Sequence, residues 1–207
     1  NARILVFDAD DGDRPFDGVN DDFSTEDGTE IPWIEALDSL GELYCVSETL
    51  PDDLSPFDIV IYLGGIQRFG EGQQNIQMTD TEAAALTDFI DNGGSVYVEE
   101  PNFGVTYSGG STAAVDLWNR VKTVHESGSS SLTGNVQTIT GQGGALMSGM
   151  SFDYDNQSWP DQFVNTVTPD GSPGTSLLWS DQTAEGRGSL YVDPSLGSLV
   201  NTVIIIH

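Results

Sequence analysis

The chain has 207 residues, 37% hydrophobic and 9% aromatic, and a formal net charge of -27 from 33 acidic residues against six basic ones. That length and apolar content fit one domain with a real core and exclude global disorder. The charge repels the phosphates of nucleic acid and anionic lipid, so neither is an expected partner, and no apolar run reaches the 18 residues of a membrane-spanning helix. Cations, basic proteins, neutral glycans and further copies of the chain remain. Self-repulsion at this charge is relieved by divalent cations or by high salt, where screening shortens to about 3 Å at 1 M. Adaptation to a saline habitat and ordinary extracellular acidity account for the composition equally well.

In chain order, Ile4-Leu5-Val6-Phe7 ending in Asp8 reads as a buried parallel strand, being apolar without alternation. Asp8 to Glu30 then holds ten carboxylates and only Arg14 to oppose them, as a solvated loop or an ion site would. Thr29 is placed to cap a helix with Pro32 in its first turn, Trp33, Ile34, Leu37 and Leu40 at helical spacing, and Gly41 as its stop. Leu43 to Val46 gives a second strand, and Cys45, the sole cysteine, is expected buried within it; no intrachain disulfide can form. Phe57 to Leu63 gives a third strand, ending at Gly64-Gly65.

Thr79 and Glu82 form a capping box for a helix through Ile90, with Leu86, Phe89 and Ile90 inward and Asn92-Gly93-Gly94 as its C-terminal cap. Ser95 to Val98 is the fourth strand, and Val115, Leu117, Trp118 and Val121 have helical spacing. The stretch from Ser127 to Gly149 is rich in Gly, Ser and Thr, as a hairpin elaboration or long loops would be, and Leu177-Leu178-Trp179, Leu190-Tyr191-Val192 and Leu199 to Ile206 read as closing strands. Strand and helix alternate through the first half, so the expected fold is α/β, with a mostly parallel doubly wound sheet, flanking helices and a β- and loop-rich elaboration in the second half. The start at Asn1 and the finish in an apolar strand lead us to expect one domain, residues 1–207, cut from a longer secreted polypeptide.

The opening strand into Asp8, the run Phe57 to Tyr62 before a Gly-Gly, the stretch Leu86 to Val98, and the segments Trp159-Pro160-Asp161 and Thr168 to Gly171 together resemble class I glutamine-amidotransferase-like domains of large secreted bacterial surface proteins. The resemblance implies a flavodoxin-like fold and, in active members, a cysteine on a tight turn after the fourth strand, with backbone donors for the oxyanion. Matching the strands puts Glu100 at that turn, between Glu99 and Pro101. A carboxylate is a feeble nucleophile toward amides, and proline removes a backbone donor. His207 is a loose echo of the family's histidine. The resemblance therefore implies a pseudoenzyme, acting in adhesion, surface assembly or contact with glycans or proteins.

Carboxylates gather at the expected ends of the first and fourth strands: Asp8, Asp10, Asp11 and Asp13 on one side, Glu99 and Glu100 on the other. Ligands of open parallel sheets bind at such ends, and hard oxygen ligands suit calcium or magnesium. The segment Asp8 to Asp13 lacks EF-hand spacing, and a bare acidic rim explains the same residues. A rival class is a metal-assisted or carboxylate-based hydrolase using Asp8, Asp10 and Glu100. Gly64-Gly65 is a strand-end turn and not a phosphate loop, since neither GxGxxG nor a Walker loop is present. His125 is expected near a helix end, and Trp159, before Pro160 in a loop, is the aromatic candidate for ligand contact.

Overall fold

A computed structural model of the chain describes residues 2–9, 30–64, 78–99, 113, 115–117, 123–126, 138–141, 148–153, 166–169, 175–176, 178–180, 191–192 and 205–206. The elements in chain order are β1 (Arg3–Asp8), α1 (Ile31–Leu40), β2 (Leu43–Ser47), β3 (Ile59–Leu63), α2 (Asp80–Asp91), β4 (Ser95–Glu99), β5 (Thr123–Glu126), β6 (Thr138–Gly141), β7 (Ser151–Asp153), β8 (Thr166–Pro169), β9 (Thr175–Ser176), β10 (Leu178–Ser180), β11 (Tyr191–Val192) and β12 (Ile205–Ile206). Residues 115–117 are also helical.

The three runs without hydrophobic alternation, β1, β3 and β4, are buried on both faces because they lie inside a five-stranded sheet ordered β12-β4-β3-β1-β2. Every pairing in that sheet is parallel. From β1 the chain crosses to β2 on one side, then to β3 on the other side of β1, and onward to β4. A parallel crossover is right-handed, so reversing the direction of travel moves the connecting helix to the opposite face.

The packing follows that rule. One core joins Leu5, Phe7, Val60, Tyr62, Val96 and Val98 to Ala83, Leu86, Phe89 and Ile90 of α2 and to Leu117. The other joins Ile4, Val6, Ile61, Leu63 and Tyr97 to Leu37 of α1, with Trp33 against it.

Local chemistry sets the helix ends. The Thr79 hydroxyl accepts from the Glu82 N–H, and the Thr79 N–H donates to the Glu82 carboxylate at 2.6 Å, the reciprocal capping box. At the far end Gly93, at φ 96°, and Gly94 donate to the Ile90 and Phe89 carbonyls, the two bonds of a Schellman close. Helix α1 ends in the same way at Gly41, at φ 69°. Its start differs from expectation: Glu30 is the N-cap, in helical conformation and without a side-chain cap, while Pro32 does sit in the first turn. Thr29 lies outside the described residues.

Three further expectations are corrected. Cys45 is exposed because β2 is the edge of the sheet. On α1 only Leu37 is buried, and Leu40, the helix's last residue, is 72% exposed. His125 belongs to β5, not to a helix end. Of the expected closing strands, β12 joins the main sheet, whereas β10 and β11 enter small antiparallel pairings, β10-β6-β7 and β11-β9; β5-β8 is another such pair. Trp118 and Val121 lie outside the described residues.

An ion pair ties the amino ends of the sheet. Arg3 grips Asp58 through its guanidinium at 3.0 Å and its backbone N–H at 2.8 Å. Asp58 in turn donates its N–H to the Arg3 carbonyl and accepts from the Ser95 N–H, joining β1, β3 and β4 where they begin. The side-chain and backbone bonds from Arg3 pull the Asp58 carboxyl down from 3.8 to about 2.

Two outcomes are expected. A Cβ at Gly94 would overlap the buried ring of Phe89, so Gly94→Ala should lower stability by about 1–3 kcal/mol in urea unfolding. Because folding lowers the Asp58 pKa, its contribution is whole above pH 4 and fades as pH falls toward 2. Asp58→Asn should therefore lower the Tm at pH 7, with the gap from wild type closing near pH 2.

Candidate functional site

The carboxyl ends of β1, β3 and β4 lie side by side. Asp8 stands in register with Leu63, and Leu63 with Glu99. The ladder runs one step past the strands, with the Ala9 N–H donating to the Leu63 carbonyl at 2.8 Å and the Gly64 N–H to the Glu99 carbonyl at 2.7 Å. On the far side of Glu99 is Ile206 of β12.

In-register residues of parallel strands share a face, and residues two apart along a strand do too. Ile4 and Val6 face α1, as do Ile61 and Leu63, and so does Tyr97. Asp8 and Glu99 continue that face at the strand ends. They flank the fully buried Leu63 with two strand spacings between them, roughly 10 Å at the backbone. Asp8 is buried and Glu99 half-buried. The sheet extends from β1 to β2 on one side and through β3 to β4 on the other, and ligands of open parallel sheets bind at the carboxyl ends of the strands.

The structure adds two residues that the sequence reading passed over. The Tyr97 hydroxyl donates to Glu99 Oε2 at 2.9 Å. Burial, together with the charge and hydrogen bond of Glu99, holds the Tyr97 phenol far above its ordinary value, so it stays a proton donor. Trp33 of α1 packs edge-on against the Tyr97 ring at 4.6 Å between centroids. Tyr97 precedes Glu99 by two on a strand, so period-2 alternation could have paired them. The Trp33 contact had no such signal, because it joins a helix to a strand some sixty positions onward.

Of the candidate ligands, Asp8 and Glu99 are brought to one face by this register. Asp10, Asp11, Asp13, Glu100 and Trp159 lie outside the described residues, as does Gly65 of the Gly-Gly turn. Among the described residues no group of three or more His, Cys, Asp or Glu converges as a metal would need. Cys45 is far from this end. Its register runs through Leu5, Val60 and Val96, in mid-strand, and β1 and β3 separate β2 from β4, roughly 14 Å at three strand spacings.

The class so defined is an α/β protein built on a parallel sheet with helices against it. No family model matches the chain, and no curated protein matches it. A solved structure described as the mmIFT52 N-terminal domain is similar in fold, with a TM-score of 0.51 over 97% of this chain and 84% of that one, at 14% identity. At that identity the likeness speaks to fold alone. Among the described residues no helix is long and apolar enough to cross a membrane.

Removing the donor to Glu99 tests the geometry. Tyr97→Phe should lose about 1.5–3 kcal/mol in urea unfolding, the range for a hydrogen bond to a charged group. The difference from wild type should hold below pH 10 and shrink above it, since the unfolded phenol ionises first.

Proposed function

We propose that this chain is a doubly wound, amidotransferase-like α/β module of an extracellular or cell-surface protein, working by contact and not by thiol catalysis. The order β2-β1-β3-β4-β12, parallel throughout, supports the doubly wound reading, as do α1 and α2 against opposite faces. The position of Cys45 carries the functional half. The sole thiol sits in mid-strand on the edge of the sheet, three strands from β4. β4 ends at Glu99 and the sequence runs on Glu100-Pro101, without a sulfur nucleophile where the family's turn would stand. Acyl transfer by a thiolate needs the sulfur within reach of the oxyanion donors at that turn, and no side-chain rearrangement spans three strands.

In this reading the strand-end face of Asp8, Leu63 and Glu99 is a contact surface. Its acidity favours cations, glycan hydroxyls or basic protein surfaces over anions. The partners are glycans, surface proteins or further copies of the chain.

A turnover panel decides between contact and chemistry. Purified protein is incubated with glutamine, ester, amide and glycoside substrates, each with and without calcium, magnesium, manganese or zinc. No turnover is expected, and none that Cys45→Ser removes. Hydrolysis abolished by Asp8→Asn or Glu100→Gln would instead establish the carboxylate hydrolase built on Asp8, Asp10 and Glu100.

A further inference from the structure

The edge at β2 is a second surface, independent of the strand-end face. Among the described residues β2 pairs only with β1, so its other side presents unpaired backbone donors and acceptors. Such an edge templates the addition of another strand, and proteins commonly guard it with lysine, proline or a bulge. Leu43-Tyr44-Cys45-Val46-Ser47 holds neither lysine nor proline. Its register with β1 is unbroken over all five positions, which leaves no bulge. Leu43 is 63% and Val46 42% exposed, Cys45 between them is exposed, and Leu40 stands out from the end of α1 just before the strand.

Charge identifies the occupant. Residues 30–64 hold eight carboxylates and no lysine, arginine or histidine. Glu42 and Glu48 bracket β2 at its two ends. The cation of β1 opposite Leu43, Arg3, is already engaged by Asp58. A second copy is therefore a poor fit. Two β2 strands paired antiparallel about Cys45 would set Glu42 against Glu48 at both ends, between bodies of charge -27 each. An extended segment with an apolar centre and basic ends meets the same edge with backbone hydrogen bonds along its length and opposite charge at each end.

We infer that the outer edge of β2 docks an extended, basic-flanked apolar segment of another protein by strand addition. Backbone pairing supplies the affinity, Leu43 and Val46 the apolar contact on opposite faces, and Glu42 and Glu48 the choice of partner. Binding weakens as salt rises, because Glu48 is exposed and Glu42 only partly buried, so salt screens the pairing of charges.

Cys45, the only thiol and the middle residue of the edge, reports occupancy. The probe is a synthetic peptide, Lys-Val-Thr-Val-Thr-Val-Lys, with a Glu-ended counterpart as control, and the readout is the rate of Cys45 alkylation by iodoacetamide in the folded chain. The free protein should react at a rate close to that of the urea-unfolded chain. The basic peptide should slow the reaction in proportion to its bound fraction, about tenfold at ten times Kd, while the Glu-ended peptide leaves it unchanged. Leu43→Lys with Val46→Lys should abolish the protection, and Glu42→Gln with Glu48→Gln should weaken it and flatten its salt dependence, in protein shown folded by circular dichroism.

A slow reaction in the free protein means that the chain covers its own edge and overturns the assignment. Equal protection by both peptides, or by neither, overturns it as well. Protection that grows with protein concentration alone identifies a second copy as the occupant and overturns the basic partner.

Discussion

The rest of the structure depends on one constraint: β1 and β3 are apolar on both faces and must be covered on both. A lone strand-helix-strand unit covers one face. Reversing the winding between β2 and β3 brings α1 to one side and α2 to the other, because the crossover keeps its hand. At their carboxyl ends β1, β3 and β4 finish in register. The strand-end face, with Asp8 and Glu99 on either side of Leu63, is thus a by-product of how the core closes.

The two ends of the sheet are held differently. At the amino ends, Arg3 and Asp58 join three strands through backbone and side-chain bonds. At the carboxyl ends the backbone ladder continues through Ala9 and Gly64, but the side chains above it are carboxylates supported by a buried phenol. Ligands of open parallel sheets generally bind at the carboxyl ends of the strands.

Much of the central sheet was legible because its signals are local. The β1 and β3 runs lack alternation, Thr79 and Glu82 stand three apart, and Asn92-Gly93-Gly94 can close a helix wherever it occurs; each acts within a few residues. The misreadings share a cause. Leu43 to Val46 is as apolar as a central strand, and nothing within it tells that no described strand lies beyond. Leu40 keeps helical spacing with Leu37, yet as the last residue of α1 it stays outside the core. Edge and centre are properties of strand order, set by crossovers tens of residues away.

The candidate site divides along the same line. By itself the sequence determined which chemistry was present: carboxylates at strand ends, a lone cysteine, no thiol after β4, and no basic residue from 30 to 64. Composition and residue order carry those facts whatever the fold. Only the tertiary structure decided the distances. Parallel register set Asp8 and Glu99 on one face with Leu63 between them, placed Tyr97 under Glu99 and Trp33 beside Tyr97, and put Cys45 on an open edge. Register and strand order are fixed by which apolar faces can be buried together, and that is a property of the whole chain.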